Sequence, residues 1–438
     1  MKTPAFLMKG LAGKKTLKGH VTINGAKNAA LKAMATAVLF DKKVRLENVP
    51  HTADIDTMSA ILEKLGAKIT PVRNHIMEID TTSMTAANST DIDPKLAGGM
   101  RASVVLTGPL LARFGKVSFP APGGCVIGAR PINLFLEGYK KMGAKVTLEN
   151  GLYQITAPNG LSGMDNFFHI ISVGGTETLM MAATLAKGKT ILSNCAKEPE
   201  IVNVAEWLTS CGAKIKGAGT STIEITGSGG KLLHADQAKP FVTIPDRIEA
   251  GSFLLLGALC AKDLVIEKCE PKHMMAVLHL LGDAGVVTEV GADTITLKGN
   301  TRANAAFKSF NISTKEYPGF PTDLQAPAVV FLTQVTGESS VLETIFEGRF
   351  KYVEDLIQLG ANITVINPRE VRTKGPTAFA KTIGDLYAHD IRAGFAIVMA
   401  ALVANGHFKV HNAHLIDRGY ENLEERLTAL GVEIRRVL

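Results

Sequence analysis

Aromatic residues are scarce in this chain: tryptophan occurs once, as Trp207, and Phe, Tyr and Trp together make up 6% of the 438 residues. Binding single-stranded nucleic acid calls for aromatic rings interleaved with dense Lys and Arg, and no such run is present. Cysteine is rarer still. The five cysteines, at 125, 195, 211, 260 and 269, make no CxxC pair and no Cys/His set with zinc spacing. A zinc module is thereby excluded, and an odd count fits reduced thiols rather than a disulfide framework. The eleven histidines lack metal spacing too, and His411 and His414 read as strand or surface positions. The most apolar run, 393–404, is too short to span a bilayer and reads as a buried core helix. The opening MKTPAFLMKG lacks the apolar core and small-residue cleavage site of a signal peptide. The expectation is a cytoplasmic protein without membrane insertion, metal or cofactor.

What is present is an ordinary well-packed composition, 46% hydrophobic and 20% charged, in a chain longer than one core usually serves. Two or three domains are expected. The 42 glycines favour tight turns and closely packed elements. A net charge of +7 points to anionic partners. Phosphorylated small molecules fit better than nucleic acid, given the missing basic-aromatic runs.

The stretch FPAPGGCVIGARP, residues 119–131, sets two prolines and a Gly-Gly pair around Cys125, with Arg130 five residues on. Proline fixes the path and glycine opens φ values closed to other residues, so this is a shaped loop. A thiol near a permanent positive charge shifts toward thiolate, its reactive form. A lone cysteine is more often a small buried hydrophobe, and Cys195, Cys211, Cys260 and Cys269 are read so, from their apolar or turn contexts. Cys125 is read as reactive.

The chain also repeats itself. An apolar helical segment, a β-rich segment, an amphipathic helix and a Gly-Ala or Gly-Val turn recur about every seventy residues. The turns fall at Gly66, Gly143, Gly212, Gly285, Gly360 and Gly431, each where a helix needs its C′ residue. Six units suggest two domains of three. The first helices begin near Lys27, Arg101, Thr176, Arg247, Asp323 and Arg392. They are apolar all round and therefore internal, while the second helices carry a polar face and lie outside.

Several of those starts are basic. Lys27, Arg101, Arg247 and Arg392 open internal helices, and Arg130, Arg349 and Arg418 open or nearly open outer ones. A cation at the partially positive end of a helix is unfavourable. Any one of them could be snorkelling or paired with a carboxylate. As a set they are better explained by an anion site where helix N-termini converge, with a substrate bearing several phosphates or carboxylates. Asp246 and Arg247 are read either as structural, at the domain junction, or as near the site. GSGG at 227–230 lacks the strand-turn-helix context of a phosphate loop.

In order and spacing, INGAKNAAL, MRAS, PGGCVIGARP, SVGGTETLMMAATLA, EPEIV, IPDRIEAGSF, YPGFPTDLQA, FEGRF, DIRAG and IDRGYE resemble the UDP-N-acetylglucosamine enolpyruvyl transferases, from about Leu17 to the C-terminus. The resemblance implies an α/β fold: a two-domain inside-out α/β barrel, three pseudo-repeats per domain, with the active site in the interdomain cleft. It divides the chain into 27–244, carrying the cysteine loop, and 1–26 with 245–438. It implies transfer of the enolpyruvyl group of phosphoenolpyruvate to the 3-hydroxyl of UDP-N-acetylglucosamine, by addition and elimination, as the first committed step of peptidoglycan synthesis. The enzyme would then be a fosfomycin target serving cell-wall biogenesis, cell shape, cell cycle and division.

The residue roles are likewise implied by the resemblance. Cys125 matches the proton donor, on a lid of about 111–130. Lys27, Arg130 and Arg418 match the groups around the phosphate, and Arg349 and Arg392 those near the carboxylate. Asp323 matches the base at the sugar hydroxyl, and an N-cap role for it is compatible with that. Asn28 matches a substrate contact and Arg101 the charge network. Ser172, Val173 and Gly174 match the diphosphate segment. Pro131, Ile132, Asn133, Leu134 and Ile345 complete the substrate contacts. Two positions depart from the family pattern: Asn133 stands where an Asp is usual, and Ile170 where a Lys is often found. The alternatives weighed are a shikimate-pathway enolpyruvyl transferase, which lacks the cysteine loop, and a non-catalytic nucleotide-sugar-binding paralogue.

Overall fold

The computed structural model describes residues 3–121, 132–299, 307–379 and 385–438. Cys125, Arg130 and Pro131 lie outside the described residues. The described chain is a mixed α/β fold in two compact units, one of residues 25–121 and 132–244, the other of residues 3–24 and 245–438.

The first unit is built on three helices, α1 (Lys27–Thr36), α2 (Thr107–Phe114) and α3 (Val173–Leu185). Every residue of α3 from Gly175 to Leu185 is buried, as expected of a helix apolar all round. The Thr36 hydroxyl reaches Met181 Sδ at 3.0 Å, tying α1 to α3. Gly108 brings α2 against the backbone of Thr178, where a side chain would not fit. Three sheets accompany these helices, centred on strands Val44–Glu47, Lys116–Pro120 and Lys189–Ser193. The amphipathic helix Ala53–Lys64 buries Ile55, Met58, Ile61 and Leu62 and turns its charged face outward.

The second unit follows the same plan, with α4 (Arg247–Cys260), α5 (Gln325–Leu332) and α6 (Ile391–Val403). The three pack on one another, and the rings of Phe253 and Phe395 meet edge to face at 5.8 Å. The chain's first strands are used here. Leu17–Thr22 pairs in parallel with Ala261–Glu267, and Ala5–Lys9 lies between His407–His411 and Ile434–Val437.

The glycine turns are as the sequence predicts. Gly66, Gly143, Gly212, Gly285, Gly360 and Gly431 have φ between 91° and 99°. In each, the amide after the glycine closes on a carbonyl five residues back, as Ala67 N does on Leu62 O and Val432 N on Leu427 O. This is the Schellman cap, which requires a left-handed residue. The GSGG stretch serves a related purpose. The amides of Ser228, Gly229 and Gly230 bond to the carbonyls of Thr184, Ala186 and Leu185 at the end of α3, so they are occupied.

Helix starts differ from expectation in four places. The third internal helix begins at Val173 rather than near Thr176, because Ser172 caps it through Gly175 N at 3.1 Å. Arg101 and Asp323 lie in 3₁₀ turns, Arg101–Leu106 and Thr322–Leu324, that feed α2 and α5. Pro109 and Pro327 then sit in the first turns of those helices, where a missing N–H costs nothing. Arg349 precedes its outer helix, Val353–Gln358, by four residues, and Arg418 lies between Ala413–Ile416 and Leu423–Ala429.

Candidate active site

In the first unit the site residues cluster at helix starts. Lys27 is the first residue of α1, preceded by Ala26, which offers no side-chain cap. An ammonium buried at the positive end of a helix needs a counter-charge. Asp54, from the first turn of Ala53–Lys64, supplies it: Lys27 Nζ donates to Asp54 Oδ2 at 2.9 Å, and both side chains are buried. Asn28 follows, half-buried, and Arg101 is half-buried at the start of its 3₁₀ turn. Gly25 lets the chain pass against the carbonyl of Asn48, and any Cβ there would collide with that backbone.

Ser172, Val173 and Gly174 form the capped start of α3, with open space where a Gly174 side chain would stand. Just before it, Phe167 and Ile170 are exposed, at 68% and 55%. Asn133, also exposed, is the first residue of helix Asn133–Lys141, flanked by buried Ile132 and Leu134. Behind α1 and α3 lies a buried charge cluster. Lys32 Nζ is 3.2 Å from Glu177 Oε2. Burial pushes the Glu177 carboxyl up to about 7, with Lys32 opposing and Glu200 and Glu198 reinforcing.

In the second unit Asp323 is held by two arginines. Arg349 Nη2 donates to its Oδ1 at 2.7 Å and Arg392 Nη2 to its Oδ2 at 3.4 Å. Arg349 Nη1 also donates to Thr322 O at 2.5 Å. The starts of α4 and α6 and the turn before α5 thus meet around Arg392. Burial would lower the Arg392 pKa, but Tyr420, Asp323 and Asp246 outweigh it and raise it above the ordinary arginine value. Arg349 Nε and Arg392 Nη1 are buried without a hydrogen-bond partner among the described residues. Buried guanidinium donors in that state suit a carboxylate or phosphate oxygen. Arg418 is half-buried in its turn.

Asp246 and Arg247 have structural uses. Asp246 caps α4 through the amides of Ile248 and Glu249, at 2.8 and 3.0 Å, and the Arg247 guanidinium lies over the Tyr317 ring. Cys195, Cys260 and Cys269 are buried, with thiols pushed up by burial to about 11, 12 and 11. Cys211 is half-buried at a helix end, so for it the core reading was too strong. Among the described residues no group of His, Cys, Asp and Glu could hold a metal, and no helix is long and apolar enough to cross a membrane.

Sequence reasoning missed two carboxylates. Asp54 sits within an outer helix and carries no motif of its own. Glu343 follows the strand Gly337–Leu342 and is fully buried, and its backbone N donates to Arg369 O. Its oxygens accept from Thr314 Oγ1 at 2.9 Å, Thr322 Oγ1 at 2.8 Å, Ile345 N at 2.8 Å and Phe346 N at 3.0 Å. A signal was available: an acidic residue directly after an alternating strand, at a position bound to be interior.

Comparison with known proteins agrees with this architecture. The family described as EPSP synthase (3-phosphoshikimate 1-carboxyvinyltransferase) matches residues 11–427. The UDP-N-acetylglucosamine 1-carboxyvinyltransferase of Koribacter versatilis is 42% identical over 98% of this chain and 96% of its own. That of Aliarcobacter butzleri is 41% identical over 97% and 98%. Among solved structures, the enolpyruvyl transferase NikO from Streptomyces tendae superposes with a TM-score of 0.87 at 24% identity, covering 100% of this chain and 99% of its own. EPSP synthase from Acinetobacter baumannii gives 0.71 at 17%, over 100% of both chains. At those identities the two structures speak to the fold alone. With near-complete coverage at above 40% identity, the chain belongs to the UDP-N-acetylglucosamine 1-carboxyvinyltransferase family.

Proposed function

We propose that this protein transfers the enolpyruvyl group of phosphoenolpyruvate to the 3-hydroxyl of UDP-N-acetylglucosamine and releases phosphate, the first committed step of peptidoglycan synthesis. The observation that carries the chemistry is Asp323 between Arg349 and Arg392, with buried guanidinium donors left over. A carboxylate there is placed to take the proton from the sugar hydroxyl, and the spare donors suit the carboxylate of phosphoenolpyruvate. The names of the relatives support the same reaction.

In the addition step, a proton goes to the methylene carbon of phosphoenolpyruvate while the sugar oxygen bonds to its central carbon and loses its proton to Asp323. In the elimination step, the methyl carbon gives up a proton as the C–O bond to phosphate breaks. Cys125 is the acid of this scheme, on the lid of about 111–130, and the site where fosfomycin would alkylate. Lys27, Arg130 and Arg418 hold the phosphate, and Asn28 and Arg101 support it. Ser172, Val173 and Gly174 receive the diphosphate at a helix N-terminus, where amides and dipole favour anions. Pro131, Ile132, Asn133, Leu134 and Ile345 contact the nucleotide sugar. Asn133 keeps an acceptor oxygen for the base, and Ile170 offers an apolar surface in place of a charge. The fold belonging to this reading is the inside-out α/β barrel, three repeats to each of the domains 27–244 and 1–26 with 245–438.

Running the reaction in deuterium oxide tests the scheme. Reversible addition exchanges methylene hydrogens with solvent, so the enolpyruvyl product carries deuterium at its vinyl carbon. Product without deuterium would overturn addition and elimination.

A further inference from the structure

We infer that Glu343 is a positioning residue for Asp323 and Arg349, a role that rests on the enolpyruvyl-transfer reading above. Its fully buried carboxylate joins three stretches of chain. One is Thr314, just past the strand Ile312–Ser313, whose hydroxyl donates to Oε1 at 2.9 Å. The second is the 3₁₀ turn Thr322–Leu324, held through the Thr322 hydroxyl on Oε2 at 2.8 Å. The third is the loop leading to Arg349, whose Ile345 and Phe346 amides donate to Oε1 at 2.8 and 3.0 Å.

Thr322 is where these connections cross. Its side chain is held by Glu343 and its carbonyl by Arg349 Nη1, while the next residue, Asp323, takes Arg349 Nη2. The circuit Glu343–Thr322–Arg349–Asp323 therefore closes on itself. Asp323 and Arg349 come from stretches 26 residues apart in sequence, and their separation depends on how the turn and the loop are pinned together. A buried carboxylate accepting hydroxyl and amide hydrogens is a rigid pin, because each donor is charge-assisted and water is absent. Glu343 does not touch the reacting atoms. It acts through Thr322 on the base and through Ile345 and Phe346 on the loop that carries the arginine.

Three variants test this: Glu343→Gln, Thr322→Val and Thr322→Ser. Val matches Thr in shape without the hydroxyl, and Ser keeps the hydroxyl, so the pair separates the hydrogen bond from packing. Misplacing the base should lower kcat roughly 10- to 100-fold in E343Q and T322V. T322S should retain most of kcat, and KM for phosphoenolpyruvate should stay within about two-fold throughout. Amide exchange at 345 and 346 should speed up in E343Q while the strand Gly337–Leu342 keeps its protection. Wild-type kcat in both E343Q and T322V, or T322S falling as far as T322V, would overturn the proposal. Wild-type protein without turnover would sink the enolpyruvyl reading instead. Exchange at 345 and 346 then decides alone, and unchanged rates in E343Q would refute the pin.

Discussion

Lys27 and Asp54 form a buried ion pair, Nζ to Oδ2 at 2.9 Å, that joins the first turn of an internal helix to the first turn of an outer one. Removing one member of such a pair leaves a charge in a place that cannot solvate it. Asp54→Ala should therefore destabilise the protein by about 3 kcal/mol, read by urea denaturation, and reduce turnover in the fraction that remains folded. Asp54→Ala matching wild type in both measurements would show that the pair is incidental.

The second prediction concerns Asp323. Asp323→Asn keeps size and hydrogen bonding but removes the base and the charge facing Arg349 and Arg392. We expect kcat to fall about 100- to 10,000-fold, with the nucleotide sugar still bound as judged by calorimetry. Retention of kcat within a few-fold would require another base.

Glu177 makes stability depend on pH with a definite sign. Its carboxyl is pushed from an ordinary 4.5 up to about 7 by burial, so the folded protein holds an extra proton between those values. The group's contribution is fully present below the unfolded value near 4.5 and is lost as pH rises through about 7. Glu177→Gln has no such proton to lose. Its stability relative to wild type should rise by roughly 1–3 kcal/mol between pH 4.5 and 8. A difference that stays flat across that range would rule out the elevated carboxyl.

Two glycines separate conformation from space. Neither Gly431 nor Gly282 has an atom within 4 Å of a would-be Cβ, but Gly431 has φ +94°. Gly431→Ala should cost about 1–2 kcal/mol from the left-handed backbone alone. Gly282→Ala, within the helix Met275–Asp283, should stabilise by about 0.5–1 kcal/mol. Equal thermal shifts in both variants would contradict the argument.

Much of this was readable from residues, for reasons the structure makes plain. A C′ glycine answers a local need for positive φ, so six of them marked six helix ends. Wholly apolar runs marked the buried helices because nothing polar could sit on any face. Helix beginnings were harder: a basic residue near a start does not say whether a 3₁₀ turn intervenes, as at Arg101 and Asp323, or an irregular stretch, as after Arg349. The candidate bases and arginines stood out by motif. Asp54 and Glu343 did not, because their partners lie 27 and 21–29 residues away, or next to them through backbone amides, and only packing brings them together. Glu177 reads as one more polar residue in a helix until its burial against Lys32 is seen.

The most direct test of the central claim is phosphate release from phosphoenolpyruvate with each candidate acceptor in turn. The account predicts rapid release with UDP-N-acetylglucosamine, none with shikimate 3-phosphate, and loss of release in Cys125→Ser. Release with shikimate 3-phosphate, or none with UDP-N-acetylglucosamine, would contradict it.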